Sequence, residues 1–214
     1  MDHMAPFASD SSTLHLVAQT GVQRVPSAKL QLFQLRNFLG DDLRQELISL
    51  IDANHRPSTL ADENGDNDFR TSETCDLQAE DPCVMALEDK LLALSGIDPK
   101  FGEPVQGQRY DVGQEFKPHT DYFTPDGADF DKFCSVAGQR TWTFMVYLNA
   151  VETGGATRFK TIGKTFQPEP GKLLCWNNRQ ADGGVNPNTL HHGMKVRKGV
   201  KYVITKWYRE REWG

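Results

Sequence analysis

Apolar and polar positions alternate from residue 29 to 36 (KLQLFQLR), the two-residue period of a strand with one buried face. The period then lengthens. After Gly40-Asp41, which offers a helix start, Leu43, Leu47, Leu50 and Ile51 recur at helical spacing. The segment to Asn54 is therefore expected to be a helix with those four on its buried stripe and Asp42, Arg44 and Glu46 in water. Residues 56–82 are rich in polar and turn-forming types, Asn64-Gly65-Asp66-Asn67-Asp68 among them, and are expected to form a long mobile loop. Asp81-Pro82 pairs a cap with a first-turn proline, and Val84, Leu87, Leu91 and Leu94 give a second amphipathic helix that Gly96 can close. Beyond Gly96 no helix-length period recurs. QRYDV, TWTFMVYLNA, ATRFK, KLLCWNN and VKYVITKWY are short, rich in β-branched and aromatic residues, and separated by Gly, Pro, Asn and Asp turns. Helices followed by a run of strands predict an α+β chain with its helices outside a jelly-roll core.

Composition narrows this picture only a little. A chain of 214 residues with 38% hydrophobic content suits one domain with a real core. The division expected is an N-terminal extension at 1–27 and a single domain at 28–214, with helical support at 40–96 and the jelly-roll core at 104–210. Met4 follows Met1 so closely that residues 1–4 read as a tag remnant. With 24 Lys plus Arg against 29 Asp plus Glu, the net charge of −5 carries no basic footprint for nucleic acid. No run reaches the ~18 apolar residues of a membrane helix. Four cysteines lack any C-x-x-C pair, so reduced thiols in a soluble cytoplasmic protein are expected, with a Cys75–Cys83 bridge as the minor alternative.

Chemistry enters at RYDVGQEFKPHTDYF, where His119 and Asp121 stand two apart on an extended stretch. Residues i and i+2 of a strand share a face, so an imidazole and a carboxylate can reach one ion together. An H-x-D pair alone is unspecific, since many are surface pairs. A third ligand must come from a distant strand, and TLHHGMKV offers His191 or His192, of which only one can point to the same side. Two histidines and one carboxylate form the facial set that suits Fe(II) and leaves positions open for oxygen chemistry.

Taken in order, RYDVGQEFKPHTDYF, TWTFMVYLNAVETGGATRF and LHHGMKVRKGVKYVITKWYRE resemble the prolyl 4-hydroxylase branch of the Fe(II)/2-oxoglutarate dioxygenases, over roughly residues 104 to 210 and with a fainter echo in Phe69-Arg70-Thr71-Ser72. The family pattern is H-x-D, a later His, and a Lys ten residues beyond it. Here the residue ten before Lys201 is His191, so the resemblance makes His119, Asp121 and His191 the metal set and leaves His192 as a neighbour. His192 and Lys195 depart from the pattern, which usually has a small residue and a proline there. The fold implied is a double-stranded β-helix flanked by N-terminal helices.

The resemblance also implies the cosubstrates, 2-oxoglutarate and O2, with ascorbate as reductant. The far carboxylate of 2-oxoglutarate needs a buried cation. Lys201, on an alternating strand with Val203 and Thr205 on its own face, fits that need. By resemblance Tyr110 hydrogen-bonds the cosubstrate and Thr143, Tyr147 and Thr157 line its pocket, while Arg140, Trp207 and Arg209 approach a substrate peptide. Trp207 shares a face with Lys201 by parity, and an aromatic wall beside an arginine suits an extended proline-containing peptide. Residues 56–82 and 122–140 are expected to flank the mouth as closing loops, with Phe130 and Phe133 exposed when open.

The activity expected is hydroxylation of a prolyl residue in a peptide or protein, with release of succinate and CO2. The carboxylate at Asp121 favours hydroxylation over halogenation, whose enzymes lack it. Two alternatives stand beside this: a dioxygenase of the same fold acting on a free amino acid, and a non-enzymatic jelly-roll binding module. The chain length is expected to leave no room for a separate peptide-binding domain, which argues against collagen as the target.

Overall fold

The computed structural model describes residues 11–58, 69–125, 127 and 130–214. In chain order come helix α1 (Ser11–Ala18), strands β1 (Gln23–Arg24) and β2 (Leu32–Leu35), helix α2 (Asp41–Asn54), strands β3 (Arg56–Pro57) and β4 (Glu73–Asp76), and helix α3 (Pro82–Ser95). Strands β5 (Gln106–Tyr110) and β6 (Phe116–His119) precede the short helix α4 (Phe130–Cys134). Strands β7 (Arg140–Tyr147), β8 (Thr153–Gly154), β9 (Thr157–Phe159), β10 (Lys164–Phe166), β11 (Leu173–Asn177), β12 (His191–Gly193), β13 (Val196–Lys198) and β14 (Lys201–Arg209) complete the chain.

These strands form a jelly roll of two antiparallel sheets. The major sheet runs β1-β2-β11-β7-β14-β5-β4-β3, the minor sheet β10-β9-β12-β6, and β8 with β13 makes a small ribbon. The two-residue period decides what each face of the major sheet meets. Phe144, Val146, Cys175, Ile204 and Tyr208 join Leu47 and Ile51 of α2 and Val84, Leu87 and Leu91 of α3 in one core. Tyr110, Met145, Tyr147, Trp176 and Val203 face the minor sheet and pack on Phe159 and Phe166 in a second core. Because the later part of β7 is buried on both faces, Phe144 to Tyr147 read as a continuous apolar run instead of an alternation. Helix α3 begins and ends as its sequence predicts. The Asp81 carboxylate accepts from the Cys83 N–H, Pro82 occupies the first turn, and Gly96 closes the helix at φ +69°.

Several expectations change. The segment 56–82 is not one loop: residues 56–57 and 73–76 are strands, with β4 paired to β5 from Glu73↔Arg109 to Asp76↔Gln106, while 59–68 lie outside the described residues. The edge of β5 would otherwise carry unpaired backbone groups, and a polar segment can satisfy them as well as an apolar one. The predicted N-terminal extension contains α1, whose Leu16 is buried in the helix-side core. Among the described residues after Gly96 one short α-helix, α4, appears, and its surroundings half-bury Phe130 and Phe133, the latter stacking on Phe123 at 5.1 Å. All four cysteines are free and buried, so Cys75 and Cys83 do not pair. Among the described residues no helix is long and apolar enough to cross a membrane.

Arg44 also departs from expectation. Its guanidinium is buried, donating to the Leu148 carbonyl at 2.6 Å and to the Asp41 carboxylate, so it fastens α2 to the end of β7. Arg44→Ala strands a buried carbonyl and is expected to cost about 1–3 kcal/mol, read as a lowered urea midpoint with unchanged slope.

Candidate active site

Strands β6 and β12 are neighbours in the minor sheet, and their register sets His191 directly opposite His119. Asp121 follows two residues after His119, where the chain leaves the strand. His119 Nε2 and His191 Nε2 lie 3.8 and 4.0 Å from Asp121 Oδ1. The three donor atoms fall within 4.8 Å of one another, and among the described residues no other His, Cys, Asp or Glu group could hold a metal ion. Backbone carbonyls fix the tautomers. His119 Nδ1 donates to Lys117 O at 2.7 Å and His191 Nδ1 to Thr189 O at 2.9 Å, which leaves each Nε2 lone pair turned to the shared point.

The electrostatics suit a cation. Burial, reinforced by His191, holds the His119 imidazole well below the ordinary histidine value and so neutral. Burial alone would raise the Asp121 carboxyl, but the facing His191 and His119, with Arg140 and the Thr143 hydroxyl, reverse this and keep it ionised. Ring contacts restrain both imidazoles. Phe116 stacks on His119 at 3.5 Å, while Phe159 and Trp176 lie 5.4 and 4.9 Å from the His191 ring. Two imidazoles with converging Nε2 atoms and one carboxylate at a small, buried point fit Fe(II) by donor type.

Behind this point a narrow cleft opens between the sheets, lined by Tyr110, Thr157, Lys201, Val203, Thr205 and Trp207 among others. Lys201 is 2% exposed, and among the described residues its ammonium has neither a carboxylate nor a hydrogen-bond acceptor. The ring faces of Tyr110 and Tyr147 lie 4.8 and 5.5 Å from it. Burial therefore pushes its pKa down to about 7. A buried cation without a counter-charge is costly, and a cleft that keeps one is built for an anion. The carboxylate end of 2-oxoglutarate fits it.

The other predicted cosubstrate residues divide. Tyr110 and Thr157 line the cleft, the Tyr110 hydroxyl donating to Gln108 Oε1 at 2.8 Å. Tyr147 is wholly buried and donates to Thr157 Oγ1 at 2.7 Å, so it braces the wall. Thr143 turns its hydroxyl to Asp121 Oδ2, 2.8 Å away, and not into the cleft. Trp207 also lines the cleft, with the Arg140 guanidinium 4.0 Å above its ring. Arg140 also pairs with Glu103 and donates to the Asp121 carbonyl at 3.2 Å. Arg209 is buried, pairing with the same Glu103 at 2.9 Å and donating to the Phe133 carbonyl, so it ties β14 to α4. His192 points out of the minor sheet to Glu115 at 2.8 Å, and Lys195 joins that carboxylate at 3.3 Å.

A model of the 2OG-Fe(II) oxygenase superfamily matches residues 105–209. Prolyl 4-hydroxylase 2 of Arabidopsis thaliana is 32% identical over 92% of this chain and 73% of its own length. The chain belongs to the prolyl 4-hydroxylase family. The alpha-3 subunit of the mouse prolyl 4-hydroxylase is 29% identical over 94% of the chain, which spans only 38% of that relative. Among solved structures, a viral collagen prolyl hydroxylase from Paramecium Bursaria Chlorella virus-1, in complex with 2OG, superposes with a TM-score of 0.66 at 27% identity. That likeness covers 83% of this chain and 95% of the viral one.

Within this prolyl 4-hydroxylase fold, sequence reasoning missed Glu103, Phe116, Trp176 and Asn178. Phe116 and Trp176 read as ordinary strand aromatics, and nothing local tells a ring that clamps an imidazole from one that fills a core. Glu103-Pro104 sits between elements, where an acidic residue reads as solvated. Only the convergence of Arg140 and Arg209 on it reveals a buried carboxylate, and they hold it ionised against its burial.

Proposed function

We propose that the chain is an Fe(II)- and 2-oxoglutarate-dependent dioxygenase that hydroxylates a prolyl residue in a peptide or protein, releasing succinate and CO2. The observation that carries this reading is the pairing, in one cleft, of a His-Asp-His donor set with the uncompensated Lys201 ammonium. When bound, iron, 2-oxoglutarate and O2 together supply the oxidising power for C–H hydroxylation, and ascorbate serves as the reductant that maintains the iron.

The protein's own contribution is positional. His119, Asp121 and His191 hold the metal, and carbonyl-fixed tautomers keep their lone pairs aimed without reorganisation. Lys201 takes the far carboxylate of 2-oxoglutarate in a charge-assisted bond, with Tyr110 and Thr157 beside it, which sets the ligand's register along the cleft. Phe116, Phe159 and Trp176 keep bulk water from the donor set. Trp207 lines the same cleft, and the Arg140 guanidinium lies over its ring. A proline ring packs on the indole and a peptide carbonyl accepts from the guanidinium. Four buried, unpaired thiols agree with a reducing, cytoplasmic setting.

Succinate release and mass spectrometry test this on two substrates, a proline-rich peptide and free L-proline. The peptide is expected to gain one oxygen for each succinate formed, with free proline at background. Coupled turnover of free proline alone would move the substrate class to small molecules, and no 2-oxoglutarate consumption with either would remove the enzymatic reading.

A further inference from the structure

The Asp121 carboxylate faces two ways. Its Oδ1 looks toward the two histidine Nε2 atoms, and its Oδ2 accepts the Thr143 hydroxyl at 2.8 Å. The contact continues one residue further, because Asn178 Nδ2 donates to Thr143 Oγ1 at 2.9 Å. A hydroxyl has a single hydrogen, and an amide NH2 can only donate while a carboxylate can only accept. With Asn178 giving to its oxygen, Thr143 directs its hydrogen to Asp121. Thr143 and Asn178 are both fully buried, so water competes for neither bond.

Asn178 is itself held from both sides. Its backbone N–H donates to Thr141 O at 2.7 Å and its carbonyl accepts from Asn186 N at 2.8 Å. Its side-chain Oδ1 has no hydrogen-bond partner. The amide thus keeps the orientation that serves Thr143 and leaves its own oxygen unpaired. The reversed amide would draw the Thr143 hydrogen to itself and strand Asp121 Oδ2 inside the protein, a buried carboxylate oxygen being the costlier group to leave unmade.

We infer that Thr143 and Asn178 are positioning residues which occupy Asp121 Oδ2 and so present the carboxylate to the metal through Oδ1 alone. This rests on the metal-binding reading above. A carboxylate binding through both oxygens would take one of the positions that the facial set leaves for ligands. The Thr143 hydrogen bond keeps that position free.

Mn(II) binding to the metal-free chain, followed by electron paramagnetic resonance, tests the inference without depending on turnover. Thr143→Val keeps shape and removes the hydroxyl; stranding Asp121 Oδ2 is expected to lower the melting temperature of the metal-free chain, and Mn(II) binding by the folded chain is expected to weaken by roughly 10–100-fold. Thr143→Ser restores the donor and is expected to return affinity to within about threefold of the parent. Asn178→Ala frees the Thr143 hydroxyl to turn and is expected to weaken binding by about tenfold. It carries the test if the valine variant does not fold. Parent-like affinity in Thr143→Val or Asn178→Ala, or a serine variant as weak as the valine one, overturns the inference. A parent chain that binds no Mn(II), or binds it equally after His119→Ala, overturns the metal reading itself.

Discussion

His191→Ala is expected to abolish both Fe(II) binding and succinate release, while His192→Ala leaves both close to the parent. The two residues are chain neighbours with opposite fates. His191 stands opposite His119 on the inner face of the minor sheet, with its Nε2 turned to Asp121. His192 points outward to Glu115. Removing one of three donors should exceed the ~10–100-fold loss typical of an outer-shell change. Anaerobic titration with Fe(II) and 2-oxoglutarate, read by visible absorption, measures the first effect, and succinate release in air the second. Equal losses in the two variants would mean that the metal is not held on the inner face, and the assignment of all three ligands would fail with it.

Lys201→Met should separate stability from function. It removes a buried ammonium without a counter-charge and replaces it with an apolar chain of similar length, so the metal-free protein is expected to gain about 1–4 kcal/mol. The same change should weaken 2-oxoglutarate by two to three orders of magnitude, the equivalent of roughly 3–4 kcal/mol, for breaking a buried charge pair. Differential scanning calorimetry and 2-oxoglutarate titration check the two halves. A variant that binds 2-oxoglutarate like the parent would remove Lys201 from the cosubstrate site.

The same lysine predicts a pH dependence with a definite sign. Burial holds its folded pKa at about 7, whereas the unfolded chain keeps the proton to about 10.4. Below pH 7 both states are protonated and the folded protein bears the whole cost. Between about 7 and 10 the unfolded chain binds the extra proton, so stability of the ligand-free protein rises with pH across that window. A bound dianion favours the ammonium, so 2-oxoglutarate binding above pH 7 takes up a proton and weakens by up to about tenfold per pH unit. Calorimetry in two buffers of different ionisation enthalpy reads the proton uptake directly, and Lys201→Met should abolish it.

Much of the architecture was legible because it rests on local rules. The period of Leu43, Leu47, Leu50 and Ile51 and the Asp81-Pro82 to Gly96 punctuation located α2 and α3, and the alternation through Lys201, Val203, Thr205 and Trp207 located one wall of the cleft. Strands β3 and β4 were not legible, since their composition is that of a loop and what makes them strands is the unpaired edge of β5. Arg44 was misjudged for a related reason. Helical position says which way a side chain leaves the helix, but not that the Leu148 carbonyl waits there for a donor.

The candidate site divides along the same line. Residue type and spacing, together with the family resemblance they carry, pointed to its chemistry: a His and an Asp two apart on an extended stretch, and, by that resemblance, a third histidine ten residues before a lysine on an alternating strand. Tertiary structure alone decided orientation and pairing. It sent Thr143 to Asp121, buried Arg209 against Glu103, set rings against both imidazoles, and left the Lys201 ammonium unpaired. The physical reason is range. Backbone periodicity acts over a few residues and fixes the face a side chain leaves from, whereas hydrogen-bond partners and desolvation depend on what distant segments bring to that face.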